Sequence, residues 1–225
     1  MKINDVISSL TASYDDWNNI FFVKNFIRRN HEVSWSDYNP GGLLEPNSGK
    51  DLQNLFENKQ YSFVLSDFSI LQLYYKFKED NETLLFARLA FYRLLGGTID
   101  ESPDLQDQED ELGEEIGPLK SDEEGLIEWI RFDFDPSESR TLVHPECHAH
   151  VSGLTSARVP VVGVPSPRQF IEFIISVFYP DKYLKERAES DGTPKVSVDF
   201  NSYNRELFSV TKHVAKTLHF RVPGI

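Results

Sequence analysis

The run Leu71-Gln72-Leu73-Tyr74-Tyr75-Lys76-Phe77-Lys78, the turn Glu79-Asp80-Asn81-Glu82-Thr83 and the stretch from Leu85 through Ala87 and Leu89 to Phe91 decide the fold. Leu71, Leu73, Tyr75 and Phe77 alternate with Gln72, Tyr74, Lys76 and Lys78, and a period of two sends alternate side chains to opposite faces of a strand. The five polar residues of the turn reverse the chain, and the alternation then resumes. This pattern predicts a long β-hairpin with one face on the core and one in water.

Toward the C-terminus, Ile130, Phe132 and Phe134 alternate with Trp129, Arg131, Asp133 and Asp135, a further half-buried strand stopped by Pro136. Residues 147–152 and 158–164 read as two more strands around a turn at Gly153. Ser166-Pro167-Arg168-Gln169 carries a capping residue, a proline at the first helical position and a glutamine that can reach back to the cap. Phe170, Phe173, Ile174, Val177 and Phe178 follow as one apolar stripe, so a helix packs on the sheet and stops at Tyr179-Pro180. Residues 181–189 suit a short amphipathic helix and 204–218 a last one.

Toward the N-terminus, Val6, Ile7, Leu10 and Tyr14 stand at helical spacing and Ile20, Phe21, Phe22, Val23, Phe26 and Ile27 form a second apolar set, so two helices are expected, or one broken near Asp15-Asp16. Asn39-Pro40-Gly41-Gly42 breaks the chain, and residues 51–58 suit a short helix. Strands flanked by helices, without a βαβ rhythm, predict an α+β fold: one domain over 1–225 with a mainly antiparallel sheet and helices at both ends.

A chain of 225 residues with 40% hydrophobic and 26% charged residues can bury a core unaided, which excludes disordered and fibrous classes. Its single cysteine, Cys147, permits no intrachain disulfide and fits a reducing compartment. With no apolar run long enough to span a membrane and no secretory layout at Met1-Lys2-Ile3-Asn4-Asp5, the expected location is the cytoplasm, away from membranes. The net charge of -13 is unevenly spread: residues 100–124 hold 12 Asp or Glu against Lys120 alone. The segment 99–125 is therefore expected to be a solvated acidic loop inserted into a nearly neutral body, and the overall charge leaves a polyanionic ligand possible at a local basic site.

Chemistry concentrates in His144-Pro145-Glu146-Cys147-His148-Ala149-His150. On a strand His148 and His150 share a face, and Arg131 and Asp133 repeat that spacing on the strand before. Pairing of the two strands would bring all four together on a solvent-facing surface, with Arg158 following and the helix start at Ser166 and Arg168 as an anion-binding end. Three readings stand side by side. His148 and His150 could exchange protons during phosphodiester cleavage while Arg131 or Arg158 stabilises the developing charge. His144, His148, His150 and Asp133 could hold a divalent metal that activates water. The tract could equally fasten a turn. Cys147, of opposite parity, is expected to be a buried apolar group, and His213 and His219 to be surface or capping residues. A P-loop, a dinucleotide fingerprint and the kinase motifs are all missing from the sequence, so no nucleotide cofactor is implied.

The succession Trp129-Ile130-Arg131-Phe132-Asp133-Phe134-Asp135, His144-Pro145, His148-x-His150-Val151, Arg158-Val159-Pro160 and Pro165-Ser166-Pro167 leading to Phe170-Ile171-Glu172-Phe173 resembles the bacterial domain-of-unknown-function family twenty-two-ninety. The hairpin Gln72-Leu73-Tyr74-Tyr75-Lys76-Phe77 fits it as well, so the likeness runs from about Ser66 to Pro180. That family has no assigned activity to carry over. Arg131-x-Asp133 and His148-x-His150 alone are also similar to the toxins of TumE-like toxin-antitoxin pairs, from which this chain departs by its acidic insert and terminal helices. The resemblance implies a nucleic-acid-directed role in conflict with phage or plasmids; joined to the acid-base reading of Arg131, Asp133, His148, His150 and Arg158, it gives the expectation of a nuclease-like effector of a toxin or anti-phage defence module. The alternative is a non-catalytic adaptor subunit that binds a partner protein encoded nearby.

Overall fold

The computed structural model describes residues 1–39, 46–95, 125–139, 144–153 and 157–187. At its centre β5 (Ile70–Phe77) and β6 (Leu84–Leu95) form the expected hairpin, in register from Ile70↔Tyr92 to Phe77↔Leu84. Asn81 takes a left-handed conformation at φ 56° in the turn, which an asparagine tolerates better than most residues. The Asp80 carboxylate accepts the backbone N–H groups of Glu82 and Thr83 there. β7 (Leu126–Phe134) adds to β6, β8 (Cys147–Val151) to β7, and the two-residue β9 (Val159–Pro160) to β8. Every pairing is antiparallel.

The other edge of β5 is shared by two partners. β4 (Phe63–Leu65) pairs with its start and is itself paired to β1 (Phe21–Lys24). β3 (Glu32–Trp35), hairpinned to β2 (Phe26–Arg29), pairs with its end. Among the described residues the result is a nine-stranded sheet, and the fold is of α+β class.

The segment from Ile20 to Ile27 thus forms strands where a helix was expected. A contiguous run of aromatic and β-branched residues satisfies either period, and here Asn25 divides it. The Asn25 N–H donates to the Ser62 carbonyl at 2.8 Å and its Oδ1 accepts the Ser36 hydroxyl at 2.6 Å. Asn30, at φ 50°, then makes the two-residue turn between β2 and β3.

Two helices cover the face carrying Leu71, Leu73, Tyr75, Leu89 and Phe91: α1 (Ile3–Asp16) and α3 (Pro167–Phe178). Phe132 meets Phe170 and Phe173 edge-on, and the Tyr75 hydroxyl donates to the Pro165 carbonyl. α3 begins as its sequence requires: Ser166 Oγ accepts the Gln169 N–H at 3.3 Å, and Gln169 Oε1 accepts the Ser166 N–H at 2.9 Å. Ser166→Ala should lower unfolding free energy by about 1 kcal/mol in urea titrations while Ser166→Asp stays near wild type; equal losses in both would remove capping as the cause. α4 (Pro180–Arg187) follows directly.

The opposite face was expected to be wet, and it is largely covered. α2 (Gly49–Glu57) sets Leu52 and Leu55 against Ile70, Ala90, Tyr92 and Trp129. Beside it Gln60 ties the layers together: its side chain accepts the Trp35 indole N–H at 3.1 Å and donates to the Asp37 carbonyl, and its own carbonyl accepts the Gln72 amide at 2.7 Å. Gln72 is buried beside it, and Tyr74 is buried beneath the stacked ring of Tyr38. The expected acidic segment 99–125, apart from Gly125, and the expected helix 204–218 with His213 and His219 lie outside the described residues. Among the described residues no helix is long and apolar enough to cross a membrane.

Candidate functional site

The remaining part of this second face carries the charged residues that the sequence singles out. Register sets Arg131 opposite His150 and Asp133 opposite His148, while Arg88 of β6 stands opposite Asp133 on its other side. All five side chains therefore project from the same face of three adjacent strands.

Asp133 is the hub. Its Oδ1 accepts Arg88 Nε at 2.7 Å, and its Oδ2 accepts Arg131 Nε and lies 2.9 Å from Arg131 Nη2. Nε2 of His150 lies 3.5 Å and Nε2 of His148 3.9 Å from the same Oδ2. The rings of His144, His148 and His150 follow one another edge to face, with 4.8 Å between successive centroids.

The expectation of a solvent-facing patch is corrected here: Arg131, Asp133, His148 and His150 are between 2% and 7% exposed. Along β7 the polar residues Arg131 and Asp133 are buried, whereas Ile130, Phe132 and Phe134 are only partly so. Alternating polarity marks a wet face only when nothing neutralises the charges. In this cluster each charge finds an opposite one within hydrogen-bond reach, which is the condition for burying it.

Burial lowers the pKa of His148 and drives that of His150 down to about 4, with the positive charge of Arg131 the next cause for His150. Both rings are accordingly neutral at pH 7. The Pro145 carbonyl, 2.9 Å from His148 Nδ1, can only accept, so His148 carries its proton on Nδ1 and turns the Nε2 lone pair inward. His150 has its Nε2 toward Asp133, and its Nδ1 is buried with no hydrogen-bond partner among the described residues. His148 thus turns an unprotonated Nε2 toward a carboxylate already engaged by two guanidiniums, whereas the neutral His150 ring points its N–H at that carboxylate from Nε2 and keeps its lone pair on Nδ1.

Arg158, exposed and just before β9, is close enough for its charge to lower both histidine pKa values. Ser166 and Arg168 are elsewhere. They start α3, which packs on the face of Phe132, opposite to that of Asp133. Arg168 pairs with Asp16 at 2.9 Å and Glu172 at 3.2 Å, and its N–H donates to Ser9 Oγ. The helix start therefore does not join the histidine cluster as an anion-binding end. Cys147 is buried, as its parity implies, and burial pushes its thiol up to about 12.

Asp133, His148 and His150 offer ligand atoms within 4.8 Å of one another, a spacing that suits a cation; His144 is not in that group. The charge balance opposes this use. With Arg88 and Arg131 both on the carboxylate and the imidazoles neutral, the cluster is already net positive, and a divalent ion would have to displace a guanidinium. An anion meets no such obstacle. Arg88 is the residue that sequence reasoning missed; its signal was its place among the polar positions of the hairpin, between Ala87 and Leu89.

Fold and site together define an α+β protein whose open antiparallel sheet carries a buried Arg/Asp/His cluster on one face. A family model described as an uncharacterized conserved protein (DUF2290) matches residues 17–222, and the chain belongs to that family. The match extends well beyond both ends of the stretch that carries the resemblance in the sequence. No curated protein and no solved structure matches the chain, and the similarity to TumE-like toxins is not confirmed.

Proposed function

We propose that Arg131, Asp133, His148 and His150, with Arg88 and Arg158, form a phosphodiester-processing site directed at nucleic acid. The observation that carries this reading is the surplus of fixed positive charge beside two neutral imidazoles: Arg88 and Arg131 on one carboxylate, with Arg158 close by. One unprotonated ring accepts the proton of the attacking hydroxyl or water, and the other ring, once protonated, supplies one to the leaving oxygen. The guanidiniums stabilise the negative charge that gathers on the phosphoryl oxygens. The negative charge of a bound phosphodiester opposes the effect of Arg131 and Arg158 on His150 and lifts its pKa from about 4 toward neutrality, where proton transfer is effective. The wider setting that fits such a site is a toxin or anti-phage effector.

The test is cleavage of labelled single-stranded and duplex RNA and DNA by the full chain, followed by electrophoresis. Cleavage should fall to background in His148→Ala and His150→Ala while both variants still melt cooperatively. A wild-type protein inert on all four substrates, with and without added magnesium, manganese or zinc, would end the proposal. The near-complete burial of the cluster favours a second reading, a non-catalytic adaptor in which the network only holds the sheet together. In that case the histidine variants lose stability and no activity, and removing residues 100–124 weakens recovery of the protein encoded by the neighbouring gene.

A further inference from the structure

The residue pairs that build the cluster continue in a straight row across the strands. Tyr74 stands opposite Arg88, Arg88 opposite Asp133, Asp133 opposite His148 and His148 opposite Pro160. At the Tyr74 end the row becomes aromatic. The ring of Tyr38 stacks on that of Tyr74 with centroids 4.8 Å apart, and Phe86 meets Tyr74 edge-on at 5.8 Å. The Arg88 guanidinium lies 5.6 Å from the centre of the Phe86 ring, joining the aromatic group to the charged one. Tyr38 and Phe86 are only half-buried, and the Arg88 side chain is 23% exposed, so this end of the row reaches the surface.

We propose that this row binds a single-stranded nucleic acid laid across the strands, with bases stacked on Phe86 and Tyr38 and the sugar-phosphate backbone drawn by Arg88 toward the histidines. The inference rests on the reading of the site as phosphodiester-processing and adds the substrate's form. Aromatic rings offer a surface to unpaired bases of any identity, whereas a duplex keeps its base faces stacked inside. Tyr74 and His148 are three strand positions apart, roughly 14 Å at about 4.8 Å per strand, a span that a few nucleotides cover. Positive charge stands beside the aromatics: Arg88 and Arg158 reach the surface along this row, and Arg131 adds its charge from beneath.

Fluorescence anisotropy with the full chain tests it. The probes are labelled phosphorothioate single strands of DNA and RNA, roughly 12 nucleotides long, chosen to resist cleavage, and the duplex of the same sequence. At least one single strand should bind more tightly than the duplex, and the preference between the two names the sugar. Phe86→Leu, which keeps an apolar side chain and loses the ring, should weaken that binding by roughly five- to one-hundredfold, while Phe86→Tyr stays within about twofold. Tyr38→Leu should act in the same direction. Duplex binding as tight as the single strand, no binding of either strand, or Phe86→Leu binding like wild type would overturn the proposal. Binding with these properties but no cleavage of the unmodified strands counts against the catalytic reading alone; cleavage that needs the histidines and ignores Phe86→Leu counts against the stacking row alone.

Discussion

Asp133→Ala should cost about 3–5 kcal/mol of folding free energy, seen as a melting temperature lower by roughly 6–20 °C. The reason is the number of groups that depend on one buried carboxylate. Arg88 holds one oxygen, Arg131 the other, and both histidines face the second oxygen within 3.9 Å. Without it Arg131, only 7% exposed, keeps its charge where water cannot solvate it. Arg88, which is more exposed, can turn outward, so most of the penalty falls on Arg131. Asp133→Asn keeps an acceptor oxygen of nearly the same shape and should lose less, and Asp133→Leu combined with Arg131→Met, which removes both charges, should recover much of the loss. Asp133 also raises the pKa of both His148 and His150, so the alanine variant should hold its imidazoles deprotonated to still lower pH in an NMR titration. A loss below about 1 kcal/mol would mean that the two guanidiniums are solvated after all and that the cluster is not closed.

What the sequence disclosed followed from its periodicities. The β5–β6 hairpin and the start of α3 were legible because period-two alternation and a cap with its reciprocal glutamine each admit one geometry. The same parity places Arg131, Asp133, His148 and His150 on one face, and the register bears that out. Which face met solvent was not legible. Gln72, Tyr74, Arg131 and Asp133 read as a wet surface because polarity is a local property, whereas their burial involves Gln60, Tyr38 and the Arg88 guanidinium, all contributed from distant parts of the chain. The run from Ile20 to Ile27 misled for a related reason: a short contiguous apolar stretch has no period, and its pairing with β4 decides what it becomes. The helix start at Ser166 was found correctly as a cap and placed wrongly as part of the site, since nothing local says which face of a sheet a helix covers.

Acidification should destabilise the protein well before its carboxylates titrate. In the folded protein His150 stays deprotonated down to about pH 4, whereas in the unfolded chain it takes up its proton near its ordinary 6.5. Between those values the unfolded state binds more protons, so the contribution of His150 is complete above pH 6.5 and is lost as the pH falls toward 4. At about 1.4 kcal/mol per unit the loss amounts to roughly 2 kcal/mol at about pH 5 and roughly 3 kcal/mol at about pH 4. His148, whose pKa is lowered in the same direction by the same burial, adds to the slope. Urea unfolding at pH 7, 6 and 5 isolates this effect, because surface carboxylates remain almost wholly ionised above about pH 5. His150→Gln fills similar space and cannot take up the proton, so its stability should vary far less over that range, whatever its value at pH 7. A wild-type protein equally stable at pH 7 and 5, or a glutamine variant with the full wild-type slope, would mean that the ring is protonated in the folded state. In that event it could not serve as the unprotonated partner on which the proposed proton transfer depends.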